Sequence, residues 1–263
     1  MSNELEINVT SYQVVDDILA AIENSKPLSV LRMGDGEMVC YHYQTSEKPK
    51  LNRFLRDMRI EQIDESLESL KLELEKSVIN SDFLGLPTSK HLEHSSNWSD
   101  IVDTYQSIFQ SYTIDSKSKK YCSINVHLEI LNNKSIYRVL ESIDNLVVIS
   151  SRDLKSRFID RFPNIKNLEY HLIPGELAYE EVKSEELLFP EKINELVKTI
   201  HSVDRKGSLL IFGGGVSGKI LGSEFKNAGG VSLDLGSVFD TWAGKLTRGA
   251  GKGAFSYTES TKL

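Results

Sequence analysis

Residues 209–219 read LLIFGGGVSGK, so four apolar residues pass directly into a glycine-rich turn. A continuous apolar run of this length is typical of a strand that is buried on both faces, as the strands of parallel sheets are. The glycines end the strand, and a helix is predicted to follow them up to about Lys226. A strand, a glycine turn and a helix in this order predict one unit of an α/β fold.

The same alternation of strand and helix extends from this unit through the rest of the chain. Helical spacing of apolar residues predicts helices at 11–24, 63–74 and 193–200, among others. Short apolar runs predict further strands at 28–33, 83–86, 121–124, 146–149, 168–173 and 231–235. About seven strands separated by helices predict an α/β fold with a mostly parallel, Rossmann-like sheet and helices on both faces.

The length of 263 residues suits one large domain, and the sequence contains neither an internal repeat nor a low-complexity linker. We predict a single α/β domain over residues 1–263. Two parts are expected to depart from it: a helical excursion at 47–97 and a mobile basic tail at 245–263. The start of that tail is rich in glycine and basic residues and has few apolar anchors.

Composition and charge limit the classes of partner. Hydrophobic residues make up 40% of the chain and charged residues 26%, which predicts a folded core of ordinary size. The net charge is −7 and Lys and Arg form no long run, which argues against nucleic acid as a partner. No stretch approaches the roughly 20 apolar residues of a membrane span. We expect a cytoplasmic protein without a transmembrane segment, in which Cys40 and Cys122 are buried thiols.

A dense group of charged residues lies where the strand at 28–33 ends. Residues 32–37 read RMGDGE, and a bend at Gly36 would let the carboxylates of Asp35 and Glu37 converge. Two convergent carboxylates suit Mg²⁺ or Mn²⁺, whose other ligands come from waters and substrate phosphates. Arg32 could pair with a phosphate through two hydrogen bonds. The alternative is a solvated acidic turn in which Arg32 pairs with a neighbouring carboxylate.

The glycine turn after Phe212 forms a second group. Its amides are free to face an anion where a helix begins, so we expect a turn that faces a phosphate or a ribose. The spacing up to Lys219 also fits the P-loop of a nucleotide triphosphatase, but Ile220 stands where that loop needs Ser or Thr. Lys219 is therefore expected to point along the helix toward solvent or to touch a phosphate only at its edge. The alternative is a tight turn whose glycines serve packing.

Further polar residues follow other predicted strands. Asp234 could hold a ribose hydroxyl, Trp242 could stack on a ring, and Ser151 and Arg152 begin another strand–helix turn. A structural role is the alternative for Asp234 and Trp242, and it is the preferred interpretation of His127. Because the carboxyl ends of parallel strands meet at one edge of a sheet, the turns after Arg32 and Phe212 are predicted to open into one cleft.

These two groups, in this order, carry a resemblance to a known family. The motif at 32–37 resembles the signature of the GT-D-fold glycosyltransferases, a bacterial group first catalogued as a domain of unknown function. The stretches at 213–215 and 229–240 resemble the C-terminal half of a GT-D-like branch. The pieces LGLP at 84–87, NVH at 125–127 and SR at 151–152 fit as well. The resemblance extends from about residue 28 to residue 242.

The resemblance implies a GT-D type fold and a metal-dependent transferase that moves a sugar from a nucleotide diphosphate donor. The acid–x–acid motif of the family maps onto Asp35 and Glu37, so the implied cofactor is Mn²⁺ or Mg²⁺. Family members with established activity end differently from this chain, so their acceptor site is not carried over. A glycan or lipid-linked acceptor and a homo-oligomer are compatible with this interpretation.

The resulting candidate site has three parts. Arg32, Asp35 and Glu37 are the catalytic candidates, and the last two are also the metal candidates. The nucleotide- or sugar-binding candidates are Gly34, Gly36, Ser151, Arg152, Gly213, Gly214, Gly215, Ser217, Asp234 and Asp240. Two other functions stay open: a kinase or hydrolase that uses the turn up to Lys219, and a non-catalytic module that binds nucleotide sugars.

Overall fold

Within residues 5–94, 98–177, 186–245 and 263, which the computed structural model describes, seven parallel strands form one sheet. The strands are β1 (Leu28–Arg32), β2 (Phe83–Leu86), β3 (Lys120–Ser123), β4 (Asn145–Ser150), β5 (Asn167–Leu172), β6 (Leu209–Gly213) and β7 (Val231–Asp234). Their order across the sheet is β3-β2-β1-β7-β6-β4-β5, and each neighbouring pair is parallel. The predicted strands and the α/β fold class are confirmed, with strand ends that differ from the prediction by at most one residue.

Helices cover both faces of the sheet. They are α1 (Ser11–Glu23), α2 (Asp35–Tyr41), α3 (Lys48–Asp57), α4 (Asp64–Asn80), α5 (Ser89–His94), α6 (Ser99–Ser111), α7 (Val126–Asn132), α8 (Ser135–Glu141), α9 (Lys155–Arg161), α10 (Glu191–His201), α11 (Gly218–Asn227) and α12 (Val238–Trp242). The first face carries α1, α7, α8, α9 and α12, and the second carries α2, α3, α4, α6, α10 and α11. None of the described helices is long and apolar enough to cross a membrane.

The central strands supply the core on both sides because successive side chains point to opposite faces. Val148 and Ile211 pack on the first face, whereas Val147 and Leu210 pack on the second. All four are at most 3% exposed, which is why these strands read as unbroken apolar runs rather than as an alternating pattern.

The stretch at 47–97, named as a possible helical excursion, contributes a strand to the sheet and side chains to the core. Leu51 and Leu55 of α3 and Leu70 of α4 are buried in the core of the second face, and β2 lies inside the sheet between β3 and β1. This stretch is part of the domain because its apolar stripes are needed to cover the sheet. Most of the predicted basic tail, residues 246–262, lies outside the described residues. Cys40 and Cys122 are free, buried thiols, as expected.

The connections after two central strands leave the sheet in opposite directions. β1 and β7 are neighbours, yet α2 after β1 packs on the second face through Met38 and Cys40. The helix α12 after β7 packs on the first face through Phe239 and Trp242. Where neighbouring connections separate in this way, a crevice opens at the carboxyl ends of the strands and is the usual ligand site of such sheets.

Candidate functional site

A cleft of about 470 Å³ lies at this crevice and extends along the carboxyl edge of the sheet. Every residue of the three-part candidate site lines it, with one exception. The exception is Ser217, which is 1% exposed and precedes α11. Asp35 and the turn from Gly213 to Val216 line the same cleft, so the prediction that the two turns open into one space is confirmed.

Arg32 at the end of β1 has fixed partners inside the protein. Its Nη1 donates to the carbonyl of Ile124 at 3.1 Å and lies 3.3 Å from Nε2 of His127. Its Nη2 donates to Oδ1 of Asp234 at 3.2 Å. The guanidinium therefore holds β1, β7 and α7 together. The sequence suggested that Arg32 could pair with a phosphate through two hydrogen bonds, whereas in the structure both of its Nη atoms already have partners within the protein.

Two glycines leave the space through which the Arg32 side chain passes. A Cβ atom added at Gly85 would lie 2.9 Å from Cγ of Arg32, and one added at Gly236 would lie 2.7 Å from Nη2. Gly236 also has φ +47°, a backbone conformation that favours glycine. The position of Arg32 thus depends on glycine at the ends of both strands that flank β1, with Gly85 in β2 and Gly236 just after β7.

The replacement Gly236→Ala is expected to destabilise the protein because the added methyl group displaces Arg32 from Asp234. The matched control is Gly207→Ala, since Gly207 has φ +69° but its added Cβ would meet nothing closer than 3.6 Å. Both variants place alanine at a positive φ, so the backbone strain is common to them. The difference between their free energies of unfolding therefore measures the clash with Arg32, which is expected to cost about 1–3 kcal/mol. Urea denaturation measures both values. Equal losses would mean that Arg32 moves aside without cost.

Lys219 does not point toward solvent, the first of the two expectations, because its side chain points inward. Lys219 is 5% exposed, its Nζ donates to Oδ2 of Asp234, and Nζ lies 3.3 Å from Oε1 of Glu37. The first turn of α11 packs over the end of β7, so a long cationic side chain there reaches the buried carboxylate below it. A solvent-facing lysine would leave Asp234, which is 1% exposed, with Arg32 as its cationic partner.

Asp234 stays ionised in this environment. Burial raises the pKa of its carboxyl, but the charges of Arg32 and Lys219 outweigh burial and lower the pKa to about 2. One oxygen is held by Arg32 and the other by Lys219. Asp234 thus holds two cations in place and is not an open group that waits for a ribose.

The predicted bend at Gly36 is also wrong. Residues 35–37 form the first turn of α2, and Oε2 of Glu37 accepts a hydrogen bond from the amide of Gly34 at 2.8 Å. Because positions two apart on a helix do not face each other, Asp35 is exposed whereas Glu37 is 7% exposed. Glu37 is committed to Gly34 and Lys219. Within the described residues, the only hydrogen bond to the Asp35 carboxylate comes from the amide of Gly36.

Arg152 lies on the other side of the cleft, directly after β4. Its Nε donates to Oδ1 of Asp240 at 2.6 Å, and its amide donates to Oγ of Ser150 at 3.0 Å. Only 9% of Arg152 is exposed, and that residue, Ser151 and Asp240 all line the cleft. These three candidates are therefore brought together by the ends of β4 and β7.

The far wall contains residues that the sequence did not assign to a site. The rings of His91 and Trp98 meet edge to face with centroids 4.9 Å apart, and Nδ2 of Asn125 lies 3.2 Å from Nε2 of His91. Trp242, for which stacking on a ring and a structural role were both open, is fully buried against Phe158 and does not line the cleft. His91 follows β2 as Asn125 follows β3, so the rule of the carboxyl edge would have identified both.

His127 is buried beside Arg32 and is neutral. A guanidinium only donates, so Nε2 of His127 is the acceptor and carries no proton. Burial, and then the charge of Arg32, keep the pKa of His127 well below its usual 6.5. The structural interpretation of this histidine agrees with its contacts, although it also lines the cleft.

Acidification below pH 6.5 is expected to destabilise the protein through His127. The imidazole of His127 takes up a proton near pH 6.5 in the unfolded chain but not in the folded protein. The contribution of neutral His127 to the free energy of unfolding is therefore complete above pH 6.5 and is lost as the pH falls. The variant His127→Gln should reduce the slope of unfolding free energy between pH 6.5 and 5 by up to about 1.4 kcal/mol per pH unit. Urea denaturation at several pH values measures the slope, and the slopes above pH 7.5 serve as the internal control. If the unfolding free energies of the unmodified protein and of His127→Gln change with pH by the same slope over the whole range, the prediction is contradicted.

A family model described as a GT-D fold-like domain matches residues 9–242. No curated protein matches the chain.

Two solved structures resemble the fold, and both are of a domain of unknown function numbered 1792. The first, selenomethionine-substituted, is 15% identical with a TM-score of 0.51, over 98% of this chain and 88% of that chain. The second, described as having a distinct glycosyltransferase fold, is 14% identical with a TM-score of 0.51 and the same coverage. At such identities the likeness concerns the fold alone.

Proposed function

Because the chain belongs to the GT-D fold-like domain family, we propose that it is a glycosyltransferase that takes its sugar from a nucleotide diphosphate donor. The observation that supports this most is the cleft at the point where β1 and β7 send their connections to opposite faces. Residues that follow each of the seven strands line it. With about 4.8 Å between neighbouring strands, the edge is about 29 Å long, enough for a donor and an acceptor end to end.

The charges of the cleft favour a donor that brings a cation with it. Among the described residues, the lining contains five carboxylates, those of Asp35, Glu37, Glu176, Asp234 and Asp240, against three cationic side chains, those of Arg32, Arg152 and Lys219. A diphosphate alone would meet an excess of negative charge. We therefore propose that the donor binds together with Mg²⁺ or Mn²⁺, as the family resemblance implies.

Asp35 is the residue that fits this cation. Within the described ranges, no group of three or more His, Cys, Asp or Glu side chains is placed to hold a metal by itself. Mg²⁺ commonly uses one or two protein carboxylates, waters and substrate phosphates, and the exposed carboxylate of Asp35 meets that need. When bound, the cation would offset the charge that develops on the diphosphate as its bond to the sugar breaks.

The other charged residues of β1, α2 and α11 have a positioning role in this proposal. Glu37 links the start of α2 to Lys219, and Asp234 links Lys219 to Arg32. These contacts fix the turn that carries Asp35 relative to the glycine turn before α11. The acceptor is proposed to be a glycan or a lipid-linked sugar.

A P-loop enzyme is less well supported. In a P-loop the lysine reaches the β- and γ-phosphates, whereas Nζ of Lys219 is held by Asp234 and lies near Glu37. Ile220 cannot provide the hydroxyl that such a loop offers to Mg²⁺.

A thermal-shift screen of nucleoside diphosphates, triphosphates and sugar nucleotides, with and without Mn²⁺, tests the proposal. A cognate donor at a hundred times its dissociation constant should stabilise the protein by about 2.7 kcal/mol, and more strongly with Mn²⁺. Sugar transfer or slow hydrolysis of that donor should then be detectable. A preference for triphosphates would favour a kinase, and binding without turnover would favour a non-catalytic module.

A further inference from the structure

Three successive backbone amides precede α11 without a hydrogen-bond partner among the described residues. The N–H groups of Gly214, Gly215 and Val216 donate no hydrogen bond within the described residues, whereas the amide of Gly218 donates to the carbonyl of Gly214 at 3.1 Å. Gly215 has φ +57°, and a left-handed residue among right-handed ones turns neighbouring amides toward a common point. All three residues line the cleft. An anion there would be offered several donors at once.

A nearly buried arginine with open donors lies beside these amides. Ser150 and Gly213 are register partners at the carboxyl ends of β4 and β6. Arg152 follows Ser150 by two residues, as the glycine turn follows Gly213, so both leave the sheet at neighbouring points of its edge. Its Nε is held by Asp240, while Nη1 and Nη2 make no hydrogen bond within the described part of the chain. Arg152 differs in this from Arg32, both of whose Nη atoms have partners, and from Lys219, which has two carboxylates beside it.

We propose that the amides of Gly214, Gly215 and Val216 and the guanidinium of Arg152 form one site for a phosphate group. Arginine binds phosphate through two parallel hydrogen bonds, and amides at the start of a helix favour a negative charge. Asp240 is a positioning residue that holds Nε, so that Nη1 and Nη2 face the cleft. Resting on the proposed function, this phosphate is one of the two in the donor.

The site adjoins the residue proposed for the cation. A Cβ atom added at Gly36 would lie 3.6 Å from Cγ2 of Val216, so the first turn of α2 touches the glycine turn. Asp35 precedes Gly36 and belongs to that same first turn. A diphosphate could therefore meet a cation on Asp35 from one side and the amides with Arg152 from the other.

Titration calorimetry with inorganic pyrophosphate and with nucleoside diphosphates, with and without Mn²⁺, tests this site. Arg152→Gln should weaken the binding of both probes by at least about tenfold, and Arg152→Lys should weaken it as well because lysine lacks the planar fork. The control is Arg138→Gln, an exposed arginine of α8 outside the cleft that pairs with Asp16, and this variant should bind both probes like the unmodified protein.

Since Arg152→Gln leaves Asp240 without its arginine partner, the double variant Arg152→Gln/Asp240→Asn is measured too. It should fold and bind pyrophosphate as weakly as Arg152→Gln does. Unmodified affinity in Arg152→Gln or Arg152→Lys, or no binding of pyrophosphate by the unmodified protein under either metal condition, would overturn the site. If pyrophosphate binding depends on Arg152 but no sugar nucleotide is turned over, the site stands and the glycosyltransferase proposal fails. If Arg152→Gln leaves sugar transfer unchanged, the glycosyltransferase proposal stands and the phosphate site fails.

Discussion

Replacing Lys219 by alanine is expected to lower the free energy of unfolding by about 3–5 kcal/mol, the usual cost of removing one partner from a buried ion pair. Asp234 and Glu37 are 1% and 7% exposed, so neither can be hydrated when the ammonium is gone. Urea denaturation at pH 7 measures the change. The loss should shrink toward pH 3, because Asp234 with Arg32 alone beside it takes up a proton more readily than Asp234 with both cations, whose pKa is about 2.

The control for this variant is Lys192→Ala. Lys192 forms a pair with Glu195 at 3.0 Å on the surface of α10, and such pairs contribute no more than about 1 kcal/mol. If Lys219→Ala costs no more than this control, the Lys219 side chain lies toward solvent, as the sequence alone suggested. The assignment of Lys219 to a buried network would then be wrong.

The variant Asp35→Asn is expected to abolish the metal-dependent part of nucleoside diphosphate binding, a loss of at least about 100-fold. The asparagine keeps the shape of the side chain but removes the charge that would hold the cation. Its effect on folding should stay below about 1 kcal/mol, because Asp35 is exposed and its charge acts only on the start of α2. Calorimetry with Mn²⁺ and with a chelator measures both parts of the affinity.

Asp153→Asn is the matched control, since Asp153 is exposed, follows the end of a strand (β4) as Asp35 follows β1, and does not line the cleft. Glu37→Gln provides a contrast: it should destabilise the fold as well as weaken binding, because Glu37 is paired with Lys219. Unchanged affinity of Asp35→Asn in Mn²⁺ would remove Asp35 from the site. Equal stability losses in the Asp35 and Glu37 variants would contradict their separate roles.

Much of the fold and the location of the site could be predicted from the sequence. Buried parallel strands are apolar on both faces, so runs such as 83–86 and 209–212 were visible without an alternating pattern. The cleft followed from one topological rule, because residues after parallel strands meet at one edge. That rule brought together Asp35, Arg152 and Gly214, which come from three separate parts of the chain.

The pairing of side chains within the cleft could not be predicted. Whether Lys219 faces solvent or the sheet depends on how α11 is rotated over β7, which is a tertiary property. The first turn of α2 was missed because Gly34 and Gly36 favour a bend in isolation. The hydrogen bond from the amide of Gly34 to Glu37 instead stabilises a helix start there. Local patterns therefore located the charged residues but not their partners.

The bond between Arg32 and Asp234 joins residues 202 positions apart, and it links the first of the described strands to the last of them. In the sheet, β7 lies between β1 and β6, so the N-terminal strands contact the C-terminal half through it. Contacts of such high sequence separation form late, because a long loop must close first. A nascent chain that ends before β7 has two half-sheets with open edges and no counter-charge for Arg32. We therefore expect the two half-sheets, β3-β2-β1 and β6-β4-β5, to fold as one cooperative unit. The cleft should be assembled only when β7 is inserted between them.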